Sequence, residues 1–118
     1  MEKQILKNGN RFTVTFSLPR EVAGEAKEVL LLGDFNNWDF EHPIMLHHKK
    51  DGSFAAKVKL EGGRDYQFRY LIDHERWEND RQADRYEASP AYPDVSNSVV
   101  SLREEVEIGV LEDGMSRL

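Results

Sequence analysis

Two tryptophans in this sequence follow turn residues instead of standing within apolar strands. Trp38 comes directly after Asn36-Asn37, which predicts a tight corner because asparagine tolerates left-handed backbone geometry and bonds to its own turn. Trp77 comes just after a bend that we predict at 73–75. A partly exposed indole offers a flat face of negative quadrupole, on which the apolar, slightly positive C–H face of a glucose ring can stack. Both tryptophans are therefore candidates for sugar contacts, and the alternative that they are core residues stays open.

A stacked sugar also needs hydrogen-bond donors and acceptors for its hydroxyl groups, and the sequence offers side chains of the right types. Arg69 shares a predicted strand with Phe68 and Tyr70 but points to the opposite face, so it can act as a donor beside an aromatic platform. The alternative is a solvated charge whose surface salt bridge is worth about 0–1 kcal/mol. The polar residues available for sugar contacts are Asn36, Asn37, Arg69, Asp73, Glu75 and Asn97.

The arrangement of the carboxylates does not favour catalysis. Hydrolysis of a glycosidic bond needs two carboxylates that face each other across a cleft, about 5–9.5 Å apart. The carboxylates within 73–84 lie on one predicted hairpin and the loop after it, which is typical of a solvated acidic loop. We therefore predict that the chain is not an enzyme.

The histidines and glycines do not form a recognisable metal or cofactor motif. His47 and His48 are adjacent, so on a strand they would point to opposite faces, and the chain has no cysteine to complete a zinc site. The sequence contains no glycine loop that would bind phosphate and no nucleophile elbow. We predict neither a metal nor a cofactor.

The length and charge of the chain exclude several classes of function. Its 118 residues make one domain, which is too short for a TIM barrel of about 200 residues or more. The net charge is −6 and the basic residues are scattered, so we expect no nucleic-acid partner. There is no apolar run of about 18 residues, so we expect no membrane association. The start lacks the apolar core of a signal peptide, and cysteine is absent, so we expect a cytoplasmic protein.

Hydrophobic patterning predicts short strands and no long helix. Residues 20–27 allow at most one helical turn, 79–97 predict a long irregular loop, and 106–110 predict an edge strand. Apolar alternation or continuous apolar runs bounded by turn residues predict the main strands, which are 11–18, 28–33, 53–60, 65–73 and 98–102.

Short strands at regular spacing predict an all-β fold, an immunoglobulin-like sandwich of about seven antiparallel strands. We expect the sandwich to span 11–102, after an N-terminal arm at 1–10 and before an acidic C-terminal extension at 103–118. The side chains predicted to line the core are Phe12, Val14, Phe16, Leu31, Phe54, Val58, Phe68 and Tyr70.

Five short segments in a fixed order carry a family resemblance. They are Leu30–Trp38, Asp51–Phe54, Tyr66–Asp73, Trp77–Asp80 and Asn97–Val100. Together they resemble carbohydrate-binding module family 48, which includes the isoamylase N-terminal early-set domains and the glycogen-binding domain of AMP-activated protein kinase β subunits. The resemblance covers about residues 11–102, and the combination of spaced motifs is far more specific than any one of them.

This resemblance implies an early-set β-sandwich that binds α-1,4-linked glucans such as glycogen, starch or maltooligosaccharides without catalysing their cleavage. In the kinase domain the sugar lies against two tryptophans, and a lysine and an asparagine bond to its hydroxyls. By motif, the tryptophans correspond to Trp38 and Trp77, the lysine to Arg69 and the asparagine to Asn97. We add Asn37, the polar neighbour of Trp38, to this candidate carbohydrate-binding set.

The sequence departs from the family pattern at three places. Arg69 keeps the charge and donor role of the lysine but has a planar fork. His74 stands where the family usually has glycine, at the bend before Trp77, and 92–95 lacks the leucine and threonine that contact sugar in the kinase domain. An alternative function follows from the fused members of the family: a structural or interaction module that packs against a glycoside hydrolase family 13 type enzyme without binding sugar. The expected partners are thus an α-glucan and, in addition, a glucan-metabolising enzyme.

Overall fold

The computed structural model describes residues 1–5 and 10–103. Within this part of the chain no helix is long and apolar enough to cross a membrane. All the strand pairs are antiparallel. The elements in chain order are β1 (Glu2–Ile5), β2 (Arg11–Leu18), α1 (Arg20–Ala23), β3 (Val29–Gly33), a 3-10 turn (Asp34–Asn36), β4 (Ile44–Met45), β5 (His47–His48), β6 (Phe54–Glu61), β7 (Asp65–Ile72), β8 (Arg76–Glu78), β9 (Arg85–Ala88) and β10 (Ser96–Ser101).

Two antiparallel sheets form the predicted sandwich. A four-stranded sheet has the order β1-β2-β6-β5, and a six-stranded sheet has the order β4-β3-β7-β10-β9 with β8 paired to β7 as well. One apolar cluster contains side chains from both sheets, so the main core lies between them. The all-β sandwich expected from the sequence is confirmed.

The core follows from the period-two patterning of β2 and β7. Val14 and Phe16 of β2 are fully buried, and Phe68 and Tyr70 of β7 meet them from the other sheet. The Phe16 ring lies edge-on to Phe68, with 4.9 Å between centroids. Of the eight predicted core residues, two are only partly buried and pack against the core edge, namely Phe12 and Val58.

Strand β3 is buried on both faces, as its continuous apolar run predicts. Leu31 faces the main core, whereas Leu30 and Leu32 form a second apolar cluster with Leu71 of β7. This second cluster lies on the side of the six-stranded sheet that faces away from the four-stranded sheet. We call that side the outer face.

The main strands predicted from the sequence are found within one or two residues at each end, but the prediction for 79–97 is wrong in part. That stretch contains β9, which pairs with β10 at the edge of its sheet. The strand went unrecognised because most of its residues are exposed and polar, so it lacks an apolar alternation. At the N-terminus, β1 pairs with β2 where the pattern suggested only an arm. The strand expected over 106–110 lies outside the described residues.

A buried polar network fixes the chain between β8 and β9. Asp80 is buried, and its Oδ2 accepts a 2.7 Å hydrogen bond from the Tyr70 hydroxyl. The Asp80 backbone N–H donates to Ser98 Oγ at 2.8 Å, and Asn79 Oδ1 accepts from the backbone N–H of Ser98 at 2.9 Å. Burial raises the pKa of Tyr70 well above its ordinary value, so its hydroxyl stays protonated and acts as the donor.

Ring packing at the centre of the core gives a first prediction. Phe16→Ala removes a fully buried ring that contacts Phe35 and Phe68, so we expect it to lower the free energy of unfolding by about 3–5 kcal/mol. Urea unfolding followed by circular dichroism measures this change. Phe12→Ala is the matched control, because the same residue type stands on the same strand but is only partly buried. A Phe12→Ala loss as large as that of Phe16→Ala would contradict this account of the core.

An ion-pair cluster at the far end of the outer face gives a second prediction. Asp65 pairs with Arg85 at 2.7 Å and with Arg103 at 3.1 Å. Burial raises the pKa of Asp65, but hydrogen bonds from Arg85, Ser101 and Arg103 outweigh it and lower the pKa to about 2. Because the folded pKa lies below the unfolded value of about 3.9, the stabilisation is present above about pH 4 and is lost as the pH falls towards 2.

We therefore expect Asp65→Asn to reduce the loss of stability between pH 4 and pH 2 while lowering stability at pH 7. Thermal unfolding midpoints at a series of pH values measure both effects. Glu25→Gln removes one negative charge at an exposed position and serves as the control for net charge. If Asp65→Asn keeps the acid sensitivity of the parent, the ion-pair cluster does not contribute as described.

Candidate functional site

The outer face carries a row of large apolar side chains that crosses four strands. Strand register places Met45 of β4 opposite Leu30, Leu30 opposite Leu71, and Leu71 opposite Trp77 of β8. Trp38 packs against the same leucine cluster from the turn after β3. Both tryptophans are partly exposed, so their indoles cover the leucines and form part of the surface themselves.

The turn that presents Trp38 has unusual backbone geometry. Asn37 and Trp38 have φ values of 58° and 54°, in the left-handed region that a bulky side chain rarely adopts. The Trp38 backbone N–H donates to the Gly33 carbonyl at 2.9 Å. Asn36 closes the turn: its Oδ1 accepts from the Gly33 N–H at 2.9 Å, and its Nδ2 donates to the His42 carbonyl at 3.2 Å. Asn36 is thus a structural residue of the turn.

Gly33 is required in this turn because of a close approach between strands. A Cβ atom at this position would lie 2.6 Å from the Gln67 carbonyl oxygen and 2.8 Å from Phe68 Cβ. The extended φ of −174° itself suits any residue, so the constraint is space and not conformation.

Asp34 fixes the indole of Trp38 to the sheet. Its Oδ1 accepts a hydrogen bond from Trp38 Nε1 at 3.0 Å, and its Oδ2 accepts from the Gln67 backbone N–H at 2.7 Å. The one polar group of the indole is therefore already satisfied. A ligand at Trp38 is left with the ring face, which favours stacking over hydrogen bonding.

Trp77 is presented by the hairpin turn between β7 and β8, at the predicted bend. Asp73 and His74 have φ values of 52° and 59°, and the Glu75 N–H donates to the Ile72 carbonyl at 3.0 Å. Two successive positive φ values are the geometry of a type I′ turn. The Asp73 carboxylate accepts from two backbone N–H groups just before β3, each at 2.9 Å. The turn thus forms with His74 in place of glycine.

Arg69 lies beside Trp77 with an unused donor. Its guanidinium carbon is 5.1 Å from the centroid of the Trp77 ring, within the range of a cation–π contact. Its Nε–H is buried and has no hydrogen-bond partner among the described residues. Burial lowers the pKa of Arg69, and the nearby Glu78 carboxylate opposes that shift. The arginine is therefore a desolvated donor in contact with an aromatic platform.

Asn97 and Asn37 are placed differently from Arg69. Asn97 is only 4% exposed, and its Nδ2 donates to the Gln67 side chain at 2.8 Å, on the outer face. The Gln67 Nε2 in turn donates to Glu87 at 3.2 Å. Asn37 is exposed at the corner of the Trp38 turn. The structure thus brings Trp38, Trp77 and Arg69 together on one face, with Asn97 on that face but engaged within the protein.

Sequence reasoning missed several residues that shape this surface. Phe40 is 63% exposed and packs edge-on to Trp77, while Met45 is 58% exposed at the end of the apolar row. The signal for Phe40 was an aromatic residue inside the polar stretch 39–42. The role of Asp34 gave no such signal, because it depends on contacts with groups four and 33 residues away.

The described residues do not form a metal centre beside this surface. Within residues 1–5 and 10–103, no three histidine or carboxylate side chains come together in a way that would hold a metal ion.

The family described as the glycogen recognition site of AMP-activated protein kinase matches residues 20–89, which is more than half of the chain. The chain belongs to this family. Its match includes both tryptophan turns and Arg69, whereas Asn97 lies outside the matched residues. The resemblance to family 48 modules is thereby confirmed, and the chain is a carbohydrate-binding module of the glycogen-recognition type, a kind of domain that is generally non-catalytic.

The double role of Asp34 gives a third prediction. In this glycogen-recognition domain, Asp34→Ala leaves the Trp38 indole N–H and the Gln67 backbone N–H without their acceptor. We expect the free energy of unfolding to fall by about 1–3 kcal/mol, and the tryptophan emission to shift to longer wavelength as Trp38 becomes more exposed. Asp39→Ala is the control, because among the described residues this neighbouring carboxylate bonds to Glu41 and His42 of its own loop. Equal effects of the two substitutions would argue against the anchoring role of Asp34.

Proposed function

We propose that this chain binds α-1,4-linked glucans, such as glycogen, starch or maltooligosaccharides, on the outer face of its six-stranded sheet. The observation that carries the proposal is the joint placement of Trp38 and Trp77, partly exposed, over one leucine cluster, with the Arg69 guanidinium over the Trp77 ring. Glucose rings stack on the two indoles through their C–H faces.

On this proposal, polar contacts contribute less to the binding affinity than stacking does. Arg69 is the best-placed donor, because it is only partly buried and its guanidinium lies 5.1 Å from the Trp77 ring, next to the hydroxyls of a glucose stacked there. Asn37 offers an exposed amide next to Trp38. Asn97 is only 4% exposed and already donates to Gln67, so its net contribution is smaller. Few hydrogen bonds on an open surface imply weak binding, with a Kd on the order of micromolar to millimolar.

We propose that the chain does not cleave the glucan. Two carboxylates close to the tryptophans already have structural partners: Asp34 bonds to Trp38 and Gln67, and Glu78 pairs with Arg76 at 2.9 Å. Neither is free to act as a paired acid and base across a bound sugar.

A second candidate function is packing against a glucan-metabolising enzyme. The exposure of Phe40 and Met45 on this face favours it, because large exposed apolar side chains often mark an interface. On this alternative the outer face binds protein and has no measurable affinity for oligosaccharides.

Removal of each aromatic platform tests the proposed function. By analogy with base–aromatic stacking, which is worth about 1–3 kcal/mol per base, we expect Trp38→Ala and Trp77→Ala each to weaken maltoheptaose binding by about ten-fold or more. Isothermal titration calorimetry measures the Kd, and circular dichroism checks that the variants stay folded. Trp77→Phe keeps an aromatic ring and should lose less affinity than Trp77→Ala.

Cellohexaose serves as the control ligand, since its β-linked chain presents the same hydroxyls in a different shape. The same protein sample, incubated with glycogen, should release no reducing sugar. A parent that binds no α-glucan, or folded tryptophan variants that bind like the parent, would reject the site and favour the packing function.

A further inference from the structure

Phe40 is a large exposed side chain in contact with the proposed site. It is 63% exposed, and its ring centroid lies 6.0 Å from that of Trp77, with 73° between the ring planes. Exposing a phenylalanine to this extent is unfavourable in water. Its position against one of the two indoles therefore invites a functional explanation.

The loop that carries Phe40 is held by several short-range contacts. The Asp39 carboxylate accepts from the Glu41 backbone N–H at 2.8 Å and contacts His42 Nδ1 at 2.8 Å. The His42 N–H donates to the Asp39 carbonyl at 3.1 Å, and the His42 carbonyl is bonded by Asn36. Phe40 is thus positioned before any ligand arrives, which reduces the ordering cost of binding.

The residues beside Phe40 favour a sugar over a protein partner. Asp39 and Glu41 flank it directly in the sequence, and charged residues are depleted from the centres of protein interfaces. A sugar, by contrast, presents apolar C–H faces ringed by hydroxyl groups, which can donate to neighbouring carboxylates. An exposed aromatic ring flanked in the sequence by two acidic residues matches that chemistry.

The angle between the rings restricts the shape of the chain that can use both. A ligand that lies flat along one ring plane cannot also lie flat along a plane inclined by 73°. An α-1,4-linked glucan curves, because its axial linkage turns each glucose relative to the last, whereas a β-1,4-linked glucan forms a flat ribbon. Successive glucose units of a curved chain can meet the two rings in turn.

We propose that Phe40 is a third aromatic contact of the glucan site, which engages a glucose unit beyond the one on Trp77 and so makes affinity depend on the length and curvature of the chain. This inference rests on the proposed function of the same face. A ligand with too few glucose units to span both rings gains no affinity from Phe40. A longer or cyclic α-1,4-linked ligand gains affinity from contact with both rings.

The test compares ligands of different length on the parent and on Phe40→Ala. Calorimetric titrations use glucose, maltoheptaose and β-cyclodextrin, because a single glucose unit cannot occupy both rings. We expect Phe40→Ala to weaken maltoheptaose and β-cyclodextrin binding by about three- to ten-fold, with glucose binding unchanged. Phe40→Tyr keeps the ring and should bind like the parent.

Ile5→Ala is the matched control, because Ile5 is also 63% exposed but lies on β1 of the other sheet. Thermal unfolding should show the parent midpoint for both alanine variants, since each removed side chain is largely in water.

The outcomes separate the inference from the proposed function. If the parent binds maltoheptaose and Phe40→Ala binds it equally well, the role of Phe40 is wrong and the function stands. If Phe40→Ala weakens glucose and maltoheptaose binding by the same factor, Phe40 acts only by supporting Trp77, and the proposed third contact is wrong. If the parent binds none of the three ligands, the proposed function fails and the inference fails with it.

Discussion

Two tryptophans shield from water the leucines on the outer side of strand β3. Leu30 and Leu32 are buried although no second sheet covers them within the described part of the chain, because Trp38 and Trp77 pack over them and over Leu71. Burying each leucine is worth about 1.5–3 kcal/mol. The same indoles that seal this cluster form the surface of the candidate site, so stability and binding depend on the same residues.

Backbone strain is concentrated where these tryptophans are presented. Among the described residues, the non-glycine residues with positive φ are Asn37, Trp38, Asp73 and His74, and all four lie in the two turns that place the indoles. Such conformations cost about 1–3 kcal/mol each and persist only where surrounding contacts fix them. Here the contacts are identifiable. Asn36 and Asp34 bond across the first turn, and the Asp73 carboxylate ties the second turn to the backbone before β3.

The sequence predicts those features of the structure that depend on residues close together in the chain. The strand over 11–18 was found to the residue because its alternation is local and one face is buried. The placement of both tryptophans just after turns could also be predicted, since asparagine and aspartate mark such turns within a few residues. Strand β9 could not be predicted from the sequence, because an exposed edge strand pairs through its backbone and needs no apolar pattern. The internal bond of Asn97 was missed for a related reason: Gln67 lies 30 residues away in sequence, and strand pairing alone brings the two amides together.

The two tryptophans are not equivalent platforms. Trp38 is held at its polar edge by Asp34, with no ring or cation contact on its face among the described residues, so it presents a fixed, uncommitted surface. Trp77 is contacted by the Arg69 guanidinium and by the Phe40 ring, so part of its surface is already occupied. On the proposed function, a ligand at Trp77 meets a corner made of an aromatic face, the Arg69 cation and the Phe40 ring. Such a corner fixes the direction in which a chain leaves the platform, whereas a flat indole alone fixes only the plane of one ring. On the proposed function, selectivity for chain shape therefore arises at the Trp77 end of the site, and stacking that does not depend on chain shape arises at the Trp38 end.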